Sequence, residues 1–440
     1  MTLWPRPEYY GEHRLPLRGK EYDEMYAIET PVRAAPPGPS LAEINAWANA
    51  LRALITRIGP RFARAEARRQ VAAYLRGLLS PVARKNGWQL AEQAGDRTPY
   101  AMQHLLGRAQ WEADAVHDDL FAYVRTHLGD PEAALVIDET SILKKGTHSV
   151  GVGRQYCGMT GQLENCQVGV FLLYASPHGQ TFLDRALYLP GDWTADPTRL
   201  QQAAVPADVA FATKPVLAWH LLERALDTSL PVRWVLGDEV YGRDGRIRYA
   251  LDERRQSYVF TVDANTAAYI GWEQVRVGPL MATLPPEVWQ RLSAGDGTKR
   301  PRLYDWARVR TASVGEPGWA RWFVARRRVS ASEDKEPAVD YFMVGAPEET
   351  TLAEIARGAG LRWTIETGFK TAKGEVGLDH DEVRSWHGWY RHITLAMFAH
   401  AYLTVMRARG NATEAQKGGL RPPTPSILRA FKRNRAHSCP

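Results

Sequence analysis

The stretch "AALVIDET", residues 133–140, constrains the fold more than any other. Its apolar residues are continuous rather than alternating, which is the pattern of a strand covered on both faces. It ends in acids where such a strand would leave the core. The next segments read as an antiparallel meander: "SVGVGRQYCG", the turn "MTGQLE", "NCQVGVFLLYAS", the turn "PHGQ" and "TFLDRALYLP". A helix, "KPVLAWHLLERALDTS", leads to a second buried strand, "PVRWVLGD". Another helix, "RDGRIRYALDERR", feeds a third, "SYVFTVDA". Three strands followed by two helix–strand units predict an α/β sheet of mixed direction.

The flanking segments have other periods. Residues 41–128 carry apolar residues at three and four spacing, as in "LAEINAWANALRALITRI" and "RRQVAAYLRGLL", and read as an all-α domain. Within it, "NGWQLAEQAGDRTPYAMQHLLGRAQW" suits a helix-turn-helix that binds DNA, with Thr98 as N-cap and Pro99 opening the second helix. An ordinary helical hairpin has the same pattern.

Between 264 and 350 helical periodicity gives way to short strand-like pieces, "RWFVARRRV" and "VDYFMVGA", expected as a β-rich insertion that divides the core into 129–263 and 351–410. Residues 1–40, ending in "PVRAAPPGPS", are expected as an irregular arm, and 411–440 as a loosely held basic tail.

With 440 residues and 45% hydrophobic content the chain can bury a large core. Its net charge of +7 favours a polyanionic partner, nucleic acid first. Cys157, Cys166 and Cys439 form no CxxC pair, which fits a reducing compartment, the cytoplasm. The N-terminus has no apolar stretch of signal-peptide length, and "ITLAMFAHAYLTVM" is too short for a membrane span.

Three acids stand where the pattern predicts burial or a strand end: Asp138, Asp238 in "VLGDEVYG", and Glu366 in "RWTIETGFKTAKGEVGLDHDEVRSW". If they converge unpaired, each raises the pKa of the others, and a cation removes that penalty. All three are oxygen donors without His or Cys at ligand spacing, so the cation would be hard, magnesium or manganese. Two such ions roughly 4 Å apart can act on a phosphodiester. The neighbours Glu139 and Glu239 are rivals, but successive strand residues face opposite sides, so each pair offers one acid to a given site. Glu375 lies about 180° around the helix from Glu366, while Asp379 and Asp381 fall beyond Gly374 and Gly377, where the helix is expected to end.

Arg362, Glu366 and Lys373 project within about 40° of one another beside the stripe Ile365, Phe369, Ala372 and Val376. A plain four-apart ion pair accounts for Arg362 and Glu366; an acid on a metal, flanked by cations that grip phosphates, accounts for the same face. Lys144, Lys145 and Arg154 lie close in sequence to Asp138 and are candidates for phosphate contact, or a solvated hairpin tip.

"VIDETSILKKGTHSVGVGRQYCGMTGQLENCQVGVFLLYA", "LYLPGDW", "GDEVYG" and "RWTIETGFKTAKGEVGLDHDEVRSWHGWYRHITLAMFAHAYL" resemble the DDE transposases of bacterial insertion sequences, also described as DDE-superfamily endonucleases. The resemblance runs from about residue 60 to 405 and takes in "GLLSPVARKNGWQLAEQAG" and "MQHLLGRAQWEADAV". It implies a ribonuclease-H-like core, with the insertion between the second aspartate and the glutamate. Asp138, Asp238 and Glu366 would hold two magnesium ions, with manganese able to substitute.

A related group carries Tyr, Arg, Glu and Lys around the glutamate. Here Arg362, Glu366 and Lys373 match, and Ala359 stands at the tyrosine position. Such proteins cut double-stranded DNA at terminal inverted repeats and join the freed 3′ hydroxyls to target DNA, as dimers or larger assemblies. The competing readings are a catalytically silent DNA-binding regulator and a stand-alone two-metal nuclease. Trp272, Trp289, Trp306, Trp319 and Trp322 in the insertion are candidates for stacking on a flipped base or for the insertion's own core.

Overall fold

A computed structural model describes residues 40–297, 300–312, 317–329 and 338–416. The expected arm lies outside these except for Ser40, and the expected tail lies outside them from residue 417, Cys439 included.

Five helices come first: α1 (Leu41–Ile58), α2 (Ala65–Leu78), α3 (Gly87–Ala94), α4 (Tyr100–Gly107) and α5 (Ala113–Leu128). Helix α3 begins where the Asn86 side chain accepts the Gln89 N–H, and it stops at Gly95, whose φ of 85° is left-handed and suits glycine. Helix α4 begins at Tyr100, one residue later than expected. Pro99 occupies the position before it, and no side chain caps this end.

The sheet opens with β1 (Ala134–Leu143), β2 (Gly153–Cys157), β3 (Gln162–Ser176) and β4 (Gly179–Tyr188). Short helices α6 (Gly191–Thr194) and α7 (Pro197–Gln202) and the longer α8 (Lys214–Leu226) lead to β5 (Trp234–Gly237). Helices α9 (Glu239–Gly242) and α10 (Gly245–Glu253) then lead to β6 (Tyr258–Val262). The expected mixed direction is present, since β1, β5 and β6 run parallel while β3 is antiparallel to β1, β2 and β4.

The predicted insertion does more than interrupt the core. After a separate hairpin of β7 (Ala267–Ile270) and β8 (Glu273–Arg276) and helix α11 (Val277–Ala282) come β9 (Gln290–Asp296), β10 (Pro301–Thr311), β11 (Trp319–Arg328) and β12 (Val339–Pro347). Strand β12 pairs antiparallel with β6, so the insertion extends the same sheet in the order β2-β3-β1-β5-β6-β12-β11-β10-β9. Pairing with β6 satisfies backbone groups that an edge strand would leave open.

Helices α12 (Leu352–Gly360), α13 (Thr364–Val376) and α14 (Trp386–Gln416) close the described fold. Thr351 and Glu354 form a reciprocal capping box at α12. Every residue from Arg391 to Met406 of α14 is buried, which explains the low polarity all around this stretch. Helix α14 packs on α2, α4, α5, α13 and β4, and one hydrophobic cluster runs from the first helices into the sheet. Among the described residues no helix is long and apolar enough to cross a membrane.

Candidate active site

The register of the central strands sets the geometry of the acids. Ile137 of β1 lies beside Gly237 of parallel β5, so Asp138 and Asp238 follow at adjacent strand positions. Across the antiparallel pair Asp138 opposes Phe171, whose ring packs against Phe369 of α13 and Trp389 of α14. Opposed residues share a face, so Asp138 faces α13 while Glu139 faces the other side, toward α8 and α9. The pleat therefore separates the two neighbours that the sequence leaves as rivals.

Neither aspartate is comfortable. Burial and then the nearby Asp238 carboxylate push the Asp138 pKa up to about 7. Asp238 is also raised, by burial and then by Glu139. Backbone donors offset part of this: Glu139 N–H donates to Asp138 Oδ1 at 2.8 Å, and Val240 N–H donates to Asp238 Oδ1 at 2.9 Å, capping α9. That turn must pack closely on β6, because a Cβ at Gly242 would collide with the Thr261 carbonyl oxygen.

Arg362 lies in a 3-10 turn, Leu361–Trp363, that packs against β1 and β5, not in the α-helix proper as its spacing suggests. Among the described residues it is the cation felt by all three acids: it favours the ionised forms of Asp138, Asp238 and Glu366. Its guanidinium is 3.6 Å from Glu366 Oε1, the four-apart ion pair. Glu366, in the first turn of α13, is half exposed, and partial burial raises its pKa. The stripe Ile365, Phe369, Ala372 and Val376 is buried as expected, and α13 ends at left-handed Gly377 with φ 67°. Lys373 stands apart from this pair. Its Nζ donates to the Ser141 carbonyl at 3.3 Å and lies 3.2 Å from Met159 Sδ, with its pKa lowered by burial.

The remaining candidates divide. Lys145 and Arg154 are exposed. Lys144 is instead mostly buried: its Nζ donates to the Asp381 carbonyl at 2.6 Å and sits 2.9 Å from Asp381 Oδ2, an ion pair not aligned as a hydrogen bond. Trp306, Trp319 and Trp322 are core residues, and Trp289 lies beneath the Arg327 guanidinium at 4.1 Å. Only Trp272 of the five, at the β7–β8 tip, is fully exposed. Cys157 and Cys166 are free and share a small buried cluster, but they are not opposed, because the register pairs Cys157 with Gln162 and Cys166 with Gly153. His392 is buried between Tyr74 and the Gly377 carbonyl, His380 accepts the Lys85 N–H, and His387 is exposed.

Two polar groups escape sequence reasoning. On the Glu139 face, Lys214 Nζ donates to Glu139 Oε1 at 2.7 Å and the Tyr241 hydroxyl donates to Oε2 at 2.5 Å. In β4, Asp184 is fully buried among His117, Arg185 and Arg224, which hold its pKa well below the usual range against burial. An acid inside the apolar run "TFLDRALY" is a readable signal for the second group. Nothing local marks Lys214 as a partner of Glu139.

Among the described residues no three His, Cys, Asp or Glu side chains stand close enough to hold one ion. The chemistry of Asp138 and Asp238 nevertheless fits a hard cation. Two desolvated, mutually repelling carboxylates gain most from a divalent charge, and Glu366 is linked to them through Arg362.

The description "DDE superfamily endonuclease" belongs to a family whose sequence model matches residues 57–308, more than half of the chain. A protein described as a probable transposase for insertion sequence element IS701, from Microchaete diplosiphon, is 25% identical over 303 residues, covering 68% of this chain and 73% of its own length. The paired aspartates on adjacent parallel strands and the family match agree: this chain belongs to the DDE superfamily of endonucleases.

Proposed function

We propose that the protein is a transposase that cuts DNA at the ends of an insertion sequence and joins the freed 3′ hydroxyls to target DNA. The observation that carries this reading is the meeting of Asp138 and Asp238 beside Arg362, which reaches Glu366, in a chain of this family. Asp138, Asp238 and Glu366 would hold two magnesium ions, with manganese able to substitute. Bound there, such ions supply charge stabilisation at a phosphodiester and an activated oxygen nucleophile.

The protein's own residues then bind and orient the DNA. Arg362, in the turn before α13, would hold a phosphate near the scissile bond, and Lys373, farther along α13, would contribute where DNA draws it from the Ser141 carbonyl. Lys145 and Arg154 supply exposed cations beyond β1. Lys144 contributes only where DNA draws it from Asp381. Further out, Arg64 and Arg108 border a mainly apolar surface groove of the helical segment that also includes Glu66, and they are further candidates for phosphate contact. Action on two element ends favours a homodimer or larger assembly.

The test uses purified full-length protein, magnesium, and DNA carrying the inverted repeats that flank its coding sequence. The parent is expected to nick and join that DNA. Asp138→Ala, Asp238→Ala and Glu366→Ala should each lose at least about 10³-fold in cleavage while still binding the ends. Cleavage that persists in the Glu366 variant would move the third ligand elsewhere. Absence of end binding by the parent would overturn the reading.

A further inference from the structure

We infer that Glu139, held by Lys214 and Tyr241, is a positioning residue that sets Asp238 against Asp138. This rests on the proposed metal-holding role of those aspartates. The strand pleat divides the two neighbours, so that Asp138 faces α13 and Glu139 is turned to the opposite face. There the Glu139 carboxylate receives one donor from each of two elements: Lys214 Nζ, at the start of α8, on Oε1 at 2.7 Å, and the Tyr241 hydroxyl, in α9, on Oε2 at 2.5 Å. The Tyr241 side chain is fully buried, so its position is defined by packing as well as by this bond.

Tyr241 lies three residues after Asp238, in the short turn that Asp238 itself caps through Val240 N–H. Gly242 N–H closes the turn onto the Asp238 carbonyl at 2.8 Å. Fixing Tyr241 to Glu139 therefore fixes the turn that carries Asp238 to the strand that carries Asp138. The β1–β5 ladder ends at Ile137 and Gly237; β3 still pairs with β1 at Asp138 and beyond, but no strand pairing holds Asp238 to β1. The Glu139–Tyr241 bond continues the connection one step past the ladder.

Lys214 has a second task. A third carboxylate this close adds to the repulsion felt by both aspartates, and the Lys214 ammonium 2.7 Å away offsets it. With both oxygens occupied by donors, Glu139 acts through Tyr241, not as a ligand.

The experiment measures Mn2+ affinity of the full-length protein without DNA, by electron paramagnetic resonance of the free ion. Asp138→Ala and Asp238→Ala report on the site itself and should each abolish tight binding; if both bind like the parent, the site reading fails. With that reading standing, Glu139→Ala should weaken Mn2+ binding about 10- to 100-fold, as loss of a group that orients ligands does. Glu139→Gln should stay within about 3-fold of the parent, because an amide can accept from Lys214 and donate to the Tyr241 oxygen.

Tyr241→Phe keeps the buried ring, guards against a Glu139→Ala variant that does not fold, and should weaken binding about 10-fold. Parent-like affinity in Tyr241→Phe overturns the inference. So does a Glu139→Gln variant that folds but binds as poorly as Glu139→Ala, since that would make Glu139 a ligand through its charge.

Discussion

Asp138 in β1 and Asp184 in β4 are two buried or half-buried acids in one sheet, and their surroundings are opposite. Asp184 is met by His117, Arg185 and Arg224, with His117 Nε2 3.0 Å from one carboxylate oxygen and Arg224 Nε donating to the other at 2.8 Å. Its charge is satisfied from within the protein, and its pKa falls. Asp138 is desolvated by burial and then met by Asp238 and Glu139, with Arg362 as a weaker compensating charge, and its pKa rises to about 7. A fold keeps a compensated buried charge for structure. An uncompensated one costs stability and is a signature of a site awaiting a ligand.

Substitution should separate the two most sharply at Asp184. Asp184→Ala removes the shared partner of His117, Arg185 and Arg224, leaves Arg185 to Asp114 and Thr394, and is expected to cost about 3 kcal/mol in denaturant unfolding, as breaking a buried ion cluster does. Asp138→Asn should do the reverse at pH 8, raising stability. If the two variants shift stability in the same direction, the contrast between the regions is lost.

The pH dependence comes next in size. A carboxylate with a raised folded pKa contributes its stability below the unfolded value, near 4, and loses it as pH rises through about 7. Metal-free protein should therefore lose stability on the order of a few kcal/mol from this group between those values. Asp138→Asn should flatten that slope, and added Mg2+ should restore stability at pH 8. Asp184, with its lowered pKa, contributes in the opposite window: its stabilisation is present above about pH 4 and disappears as pH falls. Thermal melts from pH 3 to 9 with and without each substitution resolve the two.

The smallest effect tests Arg362. Because Glu366 is half exposed, loss of the Arg362–Glu366 pair in Arg362→Gln should change folding stability by only a few tenths of a kcal/mol at pH 5, where raised pKa values favour the protonated forms of Asp138 and Asp238, although cleavage should fall substantially. A large stability loss would make Arg362 a structural residue akin to Arg185 and blur the comparison.

Local pattern made most of the fold legible. "AALVIDET", the meander after it and the two helix–strand units are legible from the length of their apolar runs, their spacing and the turn residues between them, and they appear as β1 to β6 with α8 and α10 between. The stripe of α13 and its end at Gly377 were equally local, since apolar spacing and a glycine suited to left-handed φ lie within a few turns. The insertion's strands were legible, but their partner was not: "VDYFMVGA" has the period of a strand wherever it pairs, and only the assembled sheet sets it against β6.

At the site, composition and spacing named Asp138, Asp238, Glu366 and Arg362 as candidates by residue type. They did not assign a direction to any side chain. Asp138 and Glu139 are adjacent acids with the same chemistry, and the strand pleat, referenced to Phe171 and α13, sends one toward Arg362 and the other toward Lys214 and Tyr241. Lys144 looked like a free cation until Asp381, 237 residues away, closed on it. The chain alone determined which segments become strands and helices and which residue types they carry, because periodicity and capping act over a few residues. Which charges meet depends on contacts between residues far apart in sequence, and the free energy of a charge is set by what surrounds it in space, so tertiary structure decided that.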